Sequence, residues 1–130
     1  MPERFPEGVR RLLDRIDSVA QLEVLLLLYR SAPDSWSARQ LGEELRIEPA
    51  WAAEQLGILC DRGLLAATED CEGLFHYQPA TAELEKAVMA LAAYYEAQRV
   101  AVIAFLYSKP TDRIRTFADA FRIRREDDDG

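Results

Sequence analysis

Residues 48–63 read EPAWAAEQLGILCDRG, and the fold of this stretch decides how the rest of the chain is arranged. Pro49 stands where the first turn of a helix tolerates proline, and Gly63 where a left-handed residue closes a helix. Between them Ala52, Ala53, Leu56, Leu59 and Cys60 fall on one side of a helix turning by about 100° per residue. The spacing predicts a helix over 48–62 with its apolar side against Leu25, Leu28 and Leu41. Its other side shows Ala50, Trp51, Glu54, Gly57, Ile58 and Asp61.

Upstream, Val9, Leu12, Leu13 and Ile16 are spaced for a short amphipathic helix whose remaining face is rich in arginine. Ser18-Val19-Ala20-Gln21 has the form of a capping box before a strongly apolar segment, predicting a buried helix over 18–31. Ser31 to Ser35 is turn chemistry, and Ser37-Ala38-Arg39-Gln40 offers a second capping box for a helix over 37–46. Downstream of Gly63, residues 64–68 and 74–78 are short runs of strand formers separated by Glu69-Asp70-Cys71-Glu72-Gly73, which predicts a two-stranded hairpin. Thr81 then caps a long helix to residue 108, about 42 Å in length, which Pro110 stops. Along it Leu84, Val88, Leu91, Tyr95, Gln98, Val102 and Phe105 alternate in steps of four and three, the spacing of a coiled-coil seam. Such a stripe either packs on its own domain or pairs two chains; because a helix so long outreaches so small a domain, the favoured expectation is a homodimer, with Gln98 helping to set register.

Helix, helix, tight turn, helix and hairpin is an order that resembles the winged helix-turn-helix superfamily over 18–78. The most specific piece is residues 52–65, AAEQLGILCDRGLL, which resembles the family's second helix and its entry into the wing. With the long terminal helix added, the chain resembles dimeric bacterial regulators of the multiple-antibiotic-resistance or phenolic-acid-decarboxylase regulator type. The resemblance implies a mainly α fold with a two-stranded hairpin wing and a long C-terminal dimerisation helix, laid out as 1–80, 81–108 and a tail of 109–130. It also implies that helix 48–62 enters the major groove of DNA while the 69–73 loop touches the backbone or the minor groove.

The residue chemistry of that surface opposes the implied use. A helix that reads DNA presents donors, most often arginine to guanine. Across 46–76 there are two arginines, Arg46 and Arg62, against six acids, Glu48, Glu54, Asp61, Glu69, Asp70 and Glu72, a net of −4. Phosphate neutralisation supplies most non-specific DNA affinity, so this surface would repel. The whole chain carries a formal −7 over 130 residues, against the basic footprint expected of a domain that binds nucleic acid by itself. Trp51 and Ile58, seven apart and flanked by Glu54 and Asp61, form a small apolar ridge of the kind protein interfaces favour. Partner contacts are therefore expected at Trp51, Glu54, Ile58 and Asp61. The alternative, a conventional DNA-binding regulator, would rest on Arg39, Arg46, Gln55 and Arg62.

The rest of the chain narrows the function further. Residues 112–125, DRIRTFADAFRIRR, hold five arginines against two aspartates and place Ile114, Phe117 and Phe121 on one helical face. Phe117 and Phe121 are thus further partner-contact candidates, alongside packing back on the domain, a DNA backbone contact or a membrane-surface contact. Cys60, Cys71 and His76 are the soft metal ligands, without the close pairing a zinc site wants. No phosphate-binding glycine loop, dinucleotide fingerprint or nucleophile elbow occurs, and with a single histidine the expectation is no enzyme, no cofactor and no metal. The first residues lack an apolar signal core, and the run 100–107 is too short to insert stably in a bilayer, so the expected location is cytoplasmic.

Overall fold

The computed structural model describes residues 5–69 and 72–108, and the chain they form is mainly helical with a small antiparallel sheet. In chain order the elements are α1 (Glu7–Leu13), α2 (Val19–Arg30), β1 (Trp36–Ser37), α3 (Ala38–Leu45), α4 (Pro49–Asp61), β2 (Leu65–Ala67), β3 (Leu74–Tyr77), α5 (Ala82–Ala97) and α6 (Arg99–Tyr107). No single helix among the described residues is long and apolar enough to cross a membrane.

The capping residues read from sequence do what their chemistry requires. Ser18 Oγ accepts from the Gln21 backbone N–H at 3.1 Å to start α2. At α3 the capping box closes in full: Gln40 N donates to Ser37 Oγ and Ser37 N donates to Gln40 Oε1. Pro49 opens α4, and Gly63 follows it in the left-handed region at φ +79°. There the Leu64 N–H reaches the Leu59 carbonyl and the Gly63 N–H reaches that of Cys60, so two otherwise orphaned carbonyls are satisfied. The predicted hairpin forms with Ala66 opposite His76 and Leu65 opposite Tyr77.

The sheet has three strands where the sequence predicted two. β1, in the stretch read as turn and helix start, pairs with β3 through Trp36 and Phe75, giving the order β1-β3-β2. Two residues are too short for any alternation to be read, and tertiary pairing alone makes this a strand. The Trp36 indole donates to Ser31 Oγ at 2.8 Å, and Ser35 and Thr68 hydroxyls meet at 2.8 Å, tying the turn before β1 to the hairpin.

The single helix predicted over 81–108 is two. α5 ends at Ala97, Gln98 takes φ −133° and ψ 51°, and α6 leaves at 108° to α5. Val88, Leu91, Tyr95 and Val102 are at most 1% exposed and belong to the same core as Leu12, Leu25 and Leu56, with Leu84 and Phe105 packed on it. The seam is therefore filled from within the chain, and the sequence expectation of a straight dimer helix is corrected. A straight helix would carry Val102, Phe105 and Leu106 away from the domain. Burying a Val or Leu side chain is worth about 1.5–3 kcal/mol, whereas a helical hydrogen bond lost to water costs about 1 kcal/mol net, so the bend wins. Phe5 closes the corner edge-on to Tyr94 and to Phe105, both at 5.3 Å between ring centres.

Candidate functional site

α3 and α4 meet through the three residues Arg46-Ile47-Glu48, and this turn is tight enough to constrain its neighbours. Arg46 sits in the left-handed region at φ 58°, and the Ile47 N–H returns to the Gly42 carbonyl at 3.0 Å. A Cβ on Gly42 would stand 2.8 Å from the Ile47 carbonyl oxygen, so the glycine lets the chain fold back upon α3. That turn presents α4 across the domain, with Ala52, Gln55, Leu56 and Leu59 inward.

The buried stripe of α4 differs from the sequence expectation in one informative way. Ala53 is exposed, Cys60 is half-buried and Gln55 is fully buried. Gln55 Oε1 accepts from Gln21 Nε2 at 2.6 Å, while Gln55 Nε2 is buried and finds no hydrogen-bond partner among the described residues. Gln21 Oε1 in turn accepts from the Asp17 backbone N–H at 2.9 Å. Arg62, at the end of α4, is drawn into the same cluster. Its guanidinium pairs with Asp17 Oδ2 at 3.2 Å, donates to the Arg15 carbonyl, and lies 3.4 Å from Gln21 Oε1. Gln55 and Arg62, DNA-contact candidates in the sequence, instead join α4 to the α1–α2 junction. Gln55 is thus buried and Arg62 held toward Asp17 with its side chain 32% exposed, which leaves Arg39 and Arg46 as the exposed members of the DNA-contact set. Both are exposed, with Arg39 3.8 Å from Glu43.

The opposite side of α4 keeps the composition read from the sequence. Glu54 and Asp61 are exposed. Trp51 and Ile58 are half-buried and stand outside the set of side chains packed on the core. Cys60, on the core side of the helix, has its thiol pushed above the usual range by burial and then by the Asp61 carboxylate, the opposite of an activated thiol. In the hairpin Glu69 and Glu72 are exposed, adding negative charge at its tip. Asp70 and Cys71 lie outside the described residues, as do Phe117, Phe121 and the whole arginine-rich segment.

His76, weighed as a metal ligand, is engaged on both ring nitrogens, with Thr68 Oγ1 at 3.0 Å and Gln78 Oε1 at 2.9 Å. Among the described residues no three His, Cys, Asp or Glu side chains converge as a metal site would need. A groove between α1 and α5, lined by Gly8, Leu12, Arg15, Leu84 and Lys86, takes no residue from α4. Of the dimer-seam candidates, Gln98 is exposed at the α5–α6 corner, whereas the other six are buried or half-buried in the core already described. In comparisons with known proteins, no family matches the chain and no curated protein does.

Proposed function

We propose that the chain is a winged-helix regulatory protein, acting in transcription regulation mainly through protein contacts made by the outer side of α4. Helix α3, a three-residue turn, helix α4 and the β2–β3 hairpin support the winged-helix reading, with α4 in the place of the recognition helix. One observation carries the choice of partner. The two polar side chains that α4 could have offered to DNA are turned to the domain, Gln55 fully buried and Arg62 paired with Asp17, and what remains outside is Trp51 and Ile58 between Glu54 and Asp61. An apolar ridge flanked by carboxylates suits a protein surface bearing an apolar pocket with basic neighbours. Against a phosphate backbone the same carboxylates cost affinity.

The test compares DNA with protein directly. In 150 mM salt, the protein is expected to leave random and genomic duplex DNA unbound at micromolar concentration, and to retain a specific protein from cell extract. Trp51→Ala combined with Ile58→Ala is expected to abolish that capture with the melting temperature nearly unchanged, since neither side chain packs on the core. Micromolar duplex binding that weakens steeply with salt, and is lost on Arg39→Ala with Arg46→Ala, would return α4 to the role of a DNA reader.

A further inference from the structure

α6 reads RVAVIAFLY, with Arg99 its one charged residue, and the guanidinium of Arg99 lies over the Tyr95 ring at 5.1 Å. A helix apolar on all sides belongs inside a protein, yet α6 is covered on one side only. Val102 and Leu106 are at most 1% exposed, whereas Val100 is 80% and Tyr107 64% exposed, with the exposed Ala104 between them. Positions 100, 104 and 107 follow the spacing that aligns side chains along one helical stripe.

We propose that this stripe is where two copies of the chain pair, through antiparallel α6 helices related by a two-fold axis. The order of residues favours a second copy over another occupant. Turned end for end, the stripe sets Val100 of each copy opposite Tyr107 of the other and leaves the Ala104 side chains at the crossing. Small residues there let two helices approach closely, and a surface that matches itself in this way is what a two-fold interface requires. Charge points the same way. The chain carries −7, so pairing through most of its surface would oppose like charges, but Gln98 to Ser108 contains no acidic residue. Antiparallel helices also set opposite dipole ends beside each other. A nine-residue helix is only about 14 Å long, so the patch falls short of the roughly 800 Å² per partner of a standard interface. The dimer is accordingly of micromolar affinity. It uses the face opposite the seam that the sequence pointed to, and it does not depend on what α4 binds.

The experiment is sedimentation velocity of the full chain across the micromolar range, beside Val100→Glu and Tyr107→Glu. Both side chains face solvent in the single chain, so melting of each variant at low concentration is expected to match the parent. Dimer affinity should weaken by roughly tenfold or more. Separately, Ala104→Cys under mild oxidation is expected to give a covalent dimer linked through the two introduced cysteines, mapped by mass spectrometry. A parent that stays monomeric throughout overturns the proposal, as does a dimer indifferent to both glutamates. A monomer in which Val100→Glu instead speeds hydrogen exchange over 109–130 overturns it too, by assigning the stripe to the chain's own C-terminal segment.

Discussion

Arg46 occupies a backbone conformation that side chains with a Cβ enter at a cost of about 1 kcal/mol. Its side chain is exposed, so Arg46→Gly is expected to raise stability by about 1 kcal/mol, read as a higher urea midpoint with an unchanged slope. Gly42 presents the opposite case. In the interior of a helix an alanine is ordinarily better by about 1 kcal/mol, but here the added Cβ meets a backbone oxygen that cannot rotate away. Gly42→Ala is expected to destabilise by about 1–3 kcal/mol, and a higher melting temperature would contradict the tight α3–α4 turn. Arg62→Ala should cost about 1–2 kcal/mol, because it strips Asp17 of its partner. Tyr95 and Tyr77 titrate late. Burial first, then the Glu23 carboxylate that accepts from its hydroxyl at 2.9 Å, pushes Tyr95 up to about 12; burial and then Glu85 push Tyr77 up to about 12. Both phenols hold their protons longer in the folded chain than in the unfolded one, where a phenol ionises near its ordinary value of 10.0. Their contribution to stability is therefore complete below about pH 10 and is lost as pH rises toward 12. Ultraviolet titration should show two phenols lagging, and Tyr95→Phe should flatten the fall in stability over that window.

At the scale of elements, helices 2, 3 and 4 and the hairpin were legible because their signals are local. A serine three residues before a glutamine, a proline in a first turn and a glycine after a last one each act within one turn of backbone. β1 was not legible, since it consists of two residues that become a strand only by meeting β3. The break at Gln98 was not legible either: YYEAQRVAV contains no proline or glycine to announce it, and a regular apolar stripe reads the same whether a partner or the chain's own core fills it. The corner is held by packing, with Phe5 wedged against Tyr94 and Phe105 and Arg10 set 4.9 Å over the Phe105 ring. Phe5→Ala is expected to loosen this corner at a cost of about 1–2 kcal/mol, less than for a fully buried phenylalanine. Amide exchange should then accelerate over α6 while the α2 and α4 amides stay protected, and uniform acceleration would show that the corner is not a separate unit.

For the whole molecule, charge makes DNA binding, the alternative to the proposed function, and the α6 dimer respond to salt with opposite signs. DNA binding weakens as salt rises, because it releases condensed counterions. Pairing of two chains that each carry −7 through an uncharged stripe should tighten modestly, because salt screens the repulsion of the remaining surface. One series from low to high ionic strength, read by sedimentation with and without duplex DNA, therefore separates them; a dimer that dissociates in high salt would point to an interface built on charge. The acidic, apolar character of the α4 face was legible in the residue types alone, since composition survives any small rotation of a helix. Which α4 side chains are free was not: Gln55 and Arg62 differ from ordinary surface donors only in finding Gln21, Arg15 and Asp17, 34 to 47 residues away in the chain. The sequence by itself determined where the helices between residues 19 and 61 and the hairpin begin and end, through caps, turns and periodicity that act over a few residues. Only the tertiary structure decided that the stripe from Leu84 to Phe105 closes on its own core and that α4 turns Gln55 and Arg62 toward the domain. Both outcomes depend on burial and hydrogen bonding between segments far apart in sequence, which no local pattern records.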